Sequence, residues 1–138
     1  MNSSSSMWGS PDDAMARVNQ QVAEAQERAK RATEVRLEME ALRGTARSPR
    51  GEVSVEVDTS GRLLGLTLTE DAMELGEREL ASLIVATTHA AAARAGEKAL
   101  ELAAEAFGEE SATTTRLRDE ITERNQKASP GGSDIAYR

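Results

Sequence analysis

The chain has 138 residues, a formal net charge of −7, no Cys, one His and three aromatic residues, Trp8, Phe107 and Tyr137. Without thiols, disulfide frameworks, thiol catalysis and Cys-based zinc sites are excluded, and three aromatics are too few for a base-stacking platform. The length suits one domain with tails, and no apolar run reaches the roughly 20 residues that a membrane helix needs.

The first residues are Ser-rich and lack the basic and apolar regions of a secretory signal. Residues 1–10 are therefore expected to be a disordered N-terminus of a cytoplasmic protein. Ser10-Pro11-Asp12-Asp13 reads as a helix start: a capping Ser, a Pro where the missing N–H costs nothing, and two acids at the positive end of the helix dipole. Met15, Val18, Val22, Ala25, Ala29, Ala32, Val35, Met39 and Leu42 then follow a spacing close to a coiled-coil repeat, with one three-residue slip at Val35. A helix of about 30 residues spans roughly 45 Å. A stripe so narrow and Ala-rich cannot bury itself and implies a partner helix. Gly44 reads as its C-cap, and Ser48-Pro49 confirms the stop.

A hairpin follows. Val53, Val55 and Val57 alternate with polar residues, Asp58-Thr59-Ser60-Gly61 is a turn, and Leu64, Leu66 and Leu68 alternate in return. Two strands alone are marginal in water, so they must pack on helices or extend across a dimer. Residues 70–76 form an acidic connection. A second long helix is predicted over residues 77–107; residues 86–106 contain ten Ala, and Gly96 is a mild weak point. The predicted class is α+β: long helix, small antiparallel sheet, long Ala-rich helix. Its domain covers residues 11–108, and residues 109–138 form a polar tail in which Leu117 and Ile121 could support a short helix before disorder.

Charge is uneven along the chain. Residues 28–50 carry seven bases and three acids, and residues 51–75 carry one base and six acids. Arg28, Arg31, Arg43, Arg47 and Arg50 are the candidate phosphate contacts, with Lys30 and Arg36 behind them, since a phosphate backbone is met by several exposed cationic side chains. Gly44, Thr45, Ser48 and Gly51 would let the backbone approach phosphate. A charge run is also often a solvated face. The apolar positions Val18, Val22, Val53, Val55, Val57, Leu66, Leu83 and Ile84 are the candidate dimer interface.

No catalytic set, metal site or cofactor motif is found, so the chain is expected not to be an enzyme and to take no small-molecule substrate. His89 has no Cys or second His beside it and reads as a partly buried or interface residue. Asp58, Glu70 and Asp71 fit turn and helix-start roles better than an acid/base or metal cluster.

The stretch Arg50-Gly51-Glu52-Val53-Ser54-Val55-Glu56-Val57-Asp58-Thr59-Ser60-Gly61-Arg62, then Leu63-Leu64-Gly65-Leu66-Thr67-Leu68, the acidic link, and Glu79-Leu80-Ala81-Ser82-Leu83-Ile84-Val85-Ala86-Thr87-Thr88-His89-Ala90-Ala91 resembles the YbaB/EbfC family of nucleoid-associated proteins. The resemblance covers residues 13–107. It implies a homodimer whose strands form a joint sheet and whose helices project as arms. It also implies a nucleoid location and DNA binding of little sequence preference. The acidic molecule and its Met-poor first helix depart from better-known members and make weak binding the expectation. A protein-interaction scaffold or type VII secretion accessory protein on the same fold is the alternative, and the Ala- and Arg-rich composition suits an actinobacterium.

Overall fold

The structure, a computed structural model, describes residues 10–127. Expectations for residues 1–9, including Trp8, and for the tail beyond residue 127 lie outside the described residues. The chain divides into two compact units, Met1–Arg36 and Leu37–Arg138.

The first unit is helical. Helix α1, Pro11–Ala41, begins in it and ends in the second unit. Its start is fixed reciprocally: the Asp13 N–H donates to Ser10 Oγ at 3.1 Å, and the Ser10 N–H donates to an Asp13 carboxylate oxygen at 3.4 Å. Asp12 and Asp13 occupy the first turn, where the dipole favours acids. Along the apolar seam, Met15, Val18 and Val22 are exposed and Val35 is buried.

The second unit is built on an antiparallel meander of three strands, β1 (Gly44–Arg47), β2 (Val53–Val57) and β3 (Leu63–Leu68), in that order. The sequence suggested two strands; the third comes from the segment read as cap and loop. Its alternation is short, and only the register Gly44↔Val57, Thr45↔Glu56, Ala46↔Val55, Arg47↔Ser54 reveals it. Pairing places Gly44, Ala46, Val53, Val55 and Val57 on one buried face, and Thr45, Arg47 and Glu56 on the exposed one. A bulge between Glu56 and Val57 adjusts β3 against β2.

A short helix α2, Glu70–Met73, follows β3 and is capped by Thr69, whose hydroxyl accepts the Ala72 N–H at 3.4 Å. Helix α3, Glu77–Phe107, crosses the buried face of β1 and β2. The core is Ala46, Val53, Val55, Val57, Ala91 and Ala95, edged by Leu68, Leu80, Leu83 and Ile84. Small side chains on α3 let it lie close to the sheet. Gly44 marks the nearest approach: a Cβ there would collide with the Ala91 carbonyl oxygen and lie 2.7 Å from Ala95 Cβ. Gly44 is therefore a packing glycine in β1, not a helix cap.

Past Gly108 the chain turns into helix α4, Ala112–Lys127, longer than the short helix suggested by Leu117 and Ile121. Thr114 is fully buried; its hydroxyl donates to the Gly108 carbonyl at 2.7 Å, and its N–H donates to Ser111 Oγ at 3.1 Å. Ile121 seats against Gly96, where a Cβ would lie 3.1 Å from Ile121 Cγ2. Gly96 is thus the seat of α4 on α3 as well as a low-propensity position.

Candidate nucleic-acid interface

The basic residues singled out by the sequence fall on two elements. In the first unit, Arg28 and Arg31 are exposed on α1, as is Lys30 between them. In the second, Arg43, Arg47 and Arg50 are exposed around β1 and the turn after it. Arg28, Arg31, Arg47 and Arg50 make no hydrogen bond or ion pair within the described residues. Arg43 differs. Its guanidinium turns back onto the end of α1, donating to the carbonyls of Glu40 at 2.9 Å and of Leu42, just past the helix, at 2.8 Å, where a cation offsets the negative helix end.

Three further bases are committed to the fold. Arg94 donates to the Thr45 carbonyl at 3.0 Å and Lys98 to the Arg43 carbonyl at 3.0 Å. The two side chains, one helical turn apart on α3, cover the outer edge of β1. Arg124 of α4 donates to the Thr59 carbonyl at 3.1 Å. Sequence reasoning missed these roles because each joins residues 49 to 65 positions apart, beyond any local pattern.

The β1–β2 turn is tightly built. The Ser48 N–H donates to the Val53 carbonyl and the Gly51 N–H to the Ser48 carbonyl, both at 2.9 Å. Pro49 presets the turn, and Gly51 holds φ +77°, the left-handed region that glycine tolerates. The Arg47 guanidinium lies over Gly51, where a Cβ would sit 2.8 Å from Nη2. Buried Ser48 donates through its hydroxyl to Glu52 Oε1 at 3.0 Å and accepts the Val53 N–H at 3.0 Å. The Glu52 carboxyl is held below the ordinary carboxylate range, chiefly by its own backbone N–H, with the Ser48 hydroxyl and Arg50 charge contributing. The expectation that Gly44, Ser48 and Gly51 offer free backbone to phosphate is corrected. Gly44 and Ser48 are buried, and the Gly51 N–H is already bonded.

Asp58 organises the β2–β3 turn. Its carboxylate accepts from the Ser60 hydroxyl at 2.7 Å, the Ser60 N–H at 3.0 Å and the Arg62 N–H at 2.9 Å. Those bonds, led by the Ser60 hydroxyl, hold it below its ordinary value. Glu70 and Asp71 occupy the first turn of α2. His89 is exposed on α3, not partly buried in the chain. Among the described residues no cluster of three or more His, Asp or Glu could hold a metal ion, and no helix is long and apolar enough to cross a membrane.

Of the candidate interface positions, Val53, Val55 and Val57 are buried in the chain's own core, Leu83 and Ile84 are half-buried beside it, and Val18, Val22 and Leu66 are exposed. Leu63 and Leu64 are exposed with Leu66, and no described segment pairs with the outer edge of β3.

A meander backed by an Ala-rich helix, with exposed arginines on a long helix and on a hairpin turn, defines a small α+β protein with cationic surfaces suited to a polyanion. The chain belongs to the YbaB/EbfC DNA-binding family, whose family model matches residues 14–110. Helix α4 lies beyond that match. No curated protein matches the chain in sequence.

Proposed function

We propose that the protein is a non-enzymatic homodimer of the bacterial cytoplasm and nucleoid that binds duplex DNA with little sequence preference. The carrying observation is that Arg28, Arg31, Arg47 and Arg50 are exposed and make no hydrogen bond or ion pair within the described residues in a chain of a DNA-binding family. Their chemistry favours phosphate oxygens; the remaining guanidinium donors of Arg43 add a weaker contact. Base readout is minor, because no aromatic platform or helix-turn-helix signature accompanies them.

Dimerisation is supported by the open edge of β3 and its exposed Leu63, Leu64 and Leu66. The opposite edge of the sheet is covered by Arg94 and Lys98, which leaves β3 as the edge on which a second copy can continue the sheet. Symmetry then doubles every cationic contact.

A net charge of −7 opposes the approach of DNA. Binding is accordingly weak and salt-sensitive: six phosphate contacts per dimer would cost on the order of a thousandfold in affinity between about 50 and 200 mM salt. Fluorescence anisotropy with a mixed-sequence duplex across that range tests the reading. Absence of binding at low salt by a verified dimer would remove the DNA role. A second reading, a scaffold or secretion accessory protein, is favoured by the exposed Met15, Val18 and Val22 on α1. It gains if a helical protein partner binds stoichiometrically while DNA does not.

A further inference from the structure

The β1–β2 turn contains a buried polar pair, Ser48 and Glu52. Ser48 and Glu52 are 5% and 9% exposed, and burial of such groups is unfavourable unless their hydrogen bonds are met. Here they are met in one specific way. The Ser48 side chain bridges the Glu52 carboxylate and the Val53 N–H, and its backbone accepts the Gly51 N–H and donates to the Val53 carbonyl. One residue therefore fastens both strands and the loop between them. Arg50 lies within that loop, and the Arg47 guanidinium rests over its Gly51.

We infer that Ser48 and Glu52 are positioning residues that hold Arg47 and Arg50 as a two-arginine clamp on a backbone phosphate of duplex DNA. The inference rests on the DNA-binding reading above and specifies how one of its surfaces works. An arginine on a loose loop must order backbone and side chain together when it engages phosphate; one whose backbone is already fixed by its turn loses less, so the lock raises affinity without touching the ligand. Electrostatics alone predicts the opposite effect of Glu52. A carboxylate close to a phosphate-binding arginine, as Glu52 is to Arg50, repels the polyanion, so its removal should strengthen binding unless its positioning role dominates.

That difference in sign is the test, made on the full-length chain with a mixed-sequence duplex at low salt. Arg47→Ala/Arg50→Ala should weaken binding and lower the salt slope by about 2 per chain. Glu52→Ala should weaken binding about tenfold although it removes a negative charge. Glu52→Gln, which keeps the acceptor for Ser48, should bind at least as tightly as the parent. In the Arg47→Ala/Arg50→Ala background, Glu52→Ala should have no further effect, which general destabilisation would not produce. NMR relaxation of the Arg47 side-chain Nε–H supplies a readout without DNA: it should be ordered in the parent and Glu52→Gln, and mobile in Glu52→Ala. If the parent binds duplex and Glu52→Ala binds equally well or better, the clamp is wrong while the DNA reading stands. If the parent fails to bind, both fall as DNA devices, and the relaxation data then decide only whether the lock orders the turn.

Discussion

Gly44 and Ala91 meet backbone to backbone where β1 crosses α3, so closely that a Cβ on Gly44 would enter the space of the Ala91 carbonyl oxygen. The obstruction is main chain and the Ala95 methyl group, neither of which rotates away. Gly44→Ala should therefore push β1 off α3 and destabilise the second unit by about 3 kcal/mol, at the upper end of overpacking costs. Chemical denaturation checks it. A variant within about 0.5 kcal/mol of the parent would show that the two elements are not in this register.

The acid limb of stability follows from Glu52 and Asp58. Both carboxyls lie below their ordinary values in the folded chain because hydrogen bonds favour their charged forms. A depressed carboxyl contributes stability that is complete above the unfolded-state pKa and is lost as pH falls through the folded one. The urea midpoint should thus change little near neutrality and decline from about pH 5 downward. Glu52→Gln/Asp58→Asn should flatten that decline. An unchanged acid limb in the double variant would assign it to other groups.

Much of this architecture is legible in the sequence because its signals are local. The Ser10-Asp13 cap, the Val53-Val55-Val57 alternation and the Ala-rich stretch behind α3 each lie within one element and are visible as spacing. Strand β1 was not legible. Four residues carry too little alternation, and the close approach that requires Gly44 involves a helix 47 residues away. The same limit applies to the site. Positive charge around Arg43, Arg47 and Arg50 is apparent in the sequence, but their different fates are not. Arg43 is drawn onto the carbonyls of Glu40 and Leu42, while Arg47 lies over Gly51 and the Arg50 side chain acts on Glu52 through its charge.

Helix α4 gives a separable prediction. Ile121 is nearly buried against Gly96, and Thr114 ties the helix start to Gly108. Ile121→Ala should leave a cavity and cost about 2–4 kcal/mol at that interface. Because α4 packs on α3 and the core lies on the other elements, hydrogen exchange should accelerate across residues 112–127 while β2 stays protected. Equal acceleration in β2 would show that α4 is an integral part of the core.

The assembly proposed for β3 depends on an asymmetry between the two sheet edges. Along β1, the outward carbonyls of Arg43 and Thr45 already accept from Lys98 and Arg94, and a new strand there would have to displace both cations. Along β3 no side chain or segment plays that part among the described residues, and Leu66 is 41% exposed on the same strand. Leu66→Lys places a charge on that surface in each copy and removes apolar area worth about 1.5 kcal/mol or more per chain, so the dimer should weaken on the order of 100-fold. Sedimentation velocity over a concentration series reads this directly. Arg94→Ala is the control: it uncovers the β1 edge and should leave the β3 contact intact. If Leu66→Lys sediments as the parent does while Arg94→Ala changes the oligomer, the second copy sits on the opposite edge and the symmetry assigned to the cationic surfaces must be redrawn.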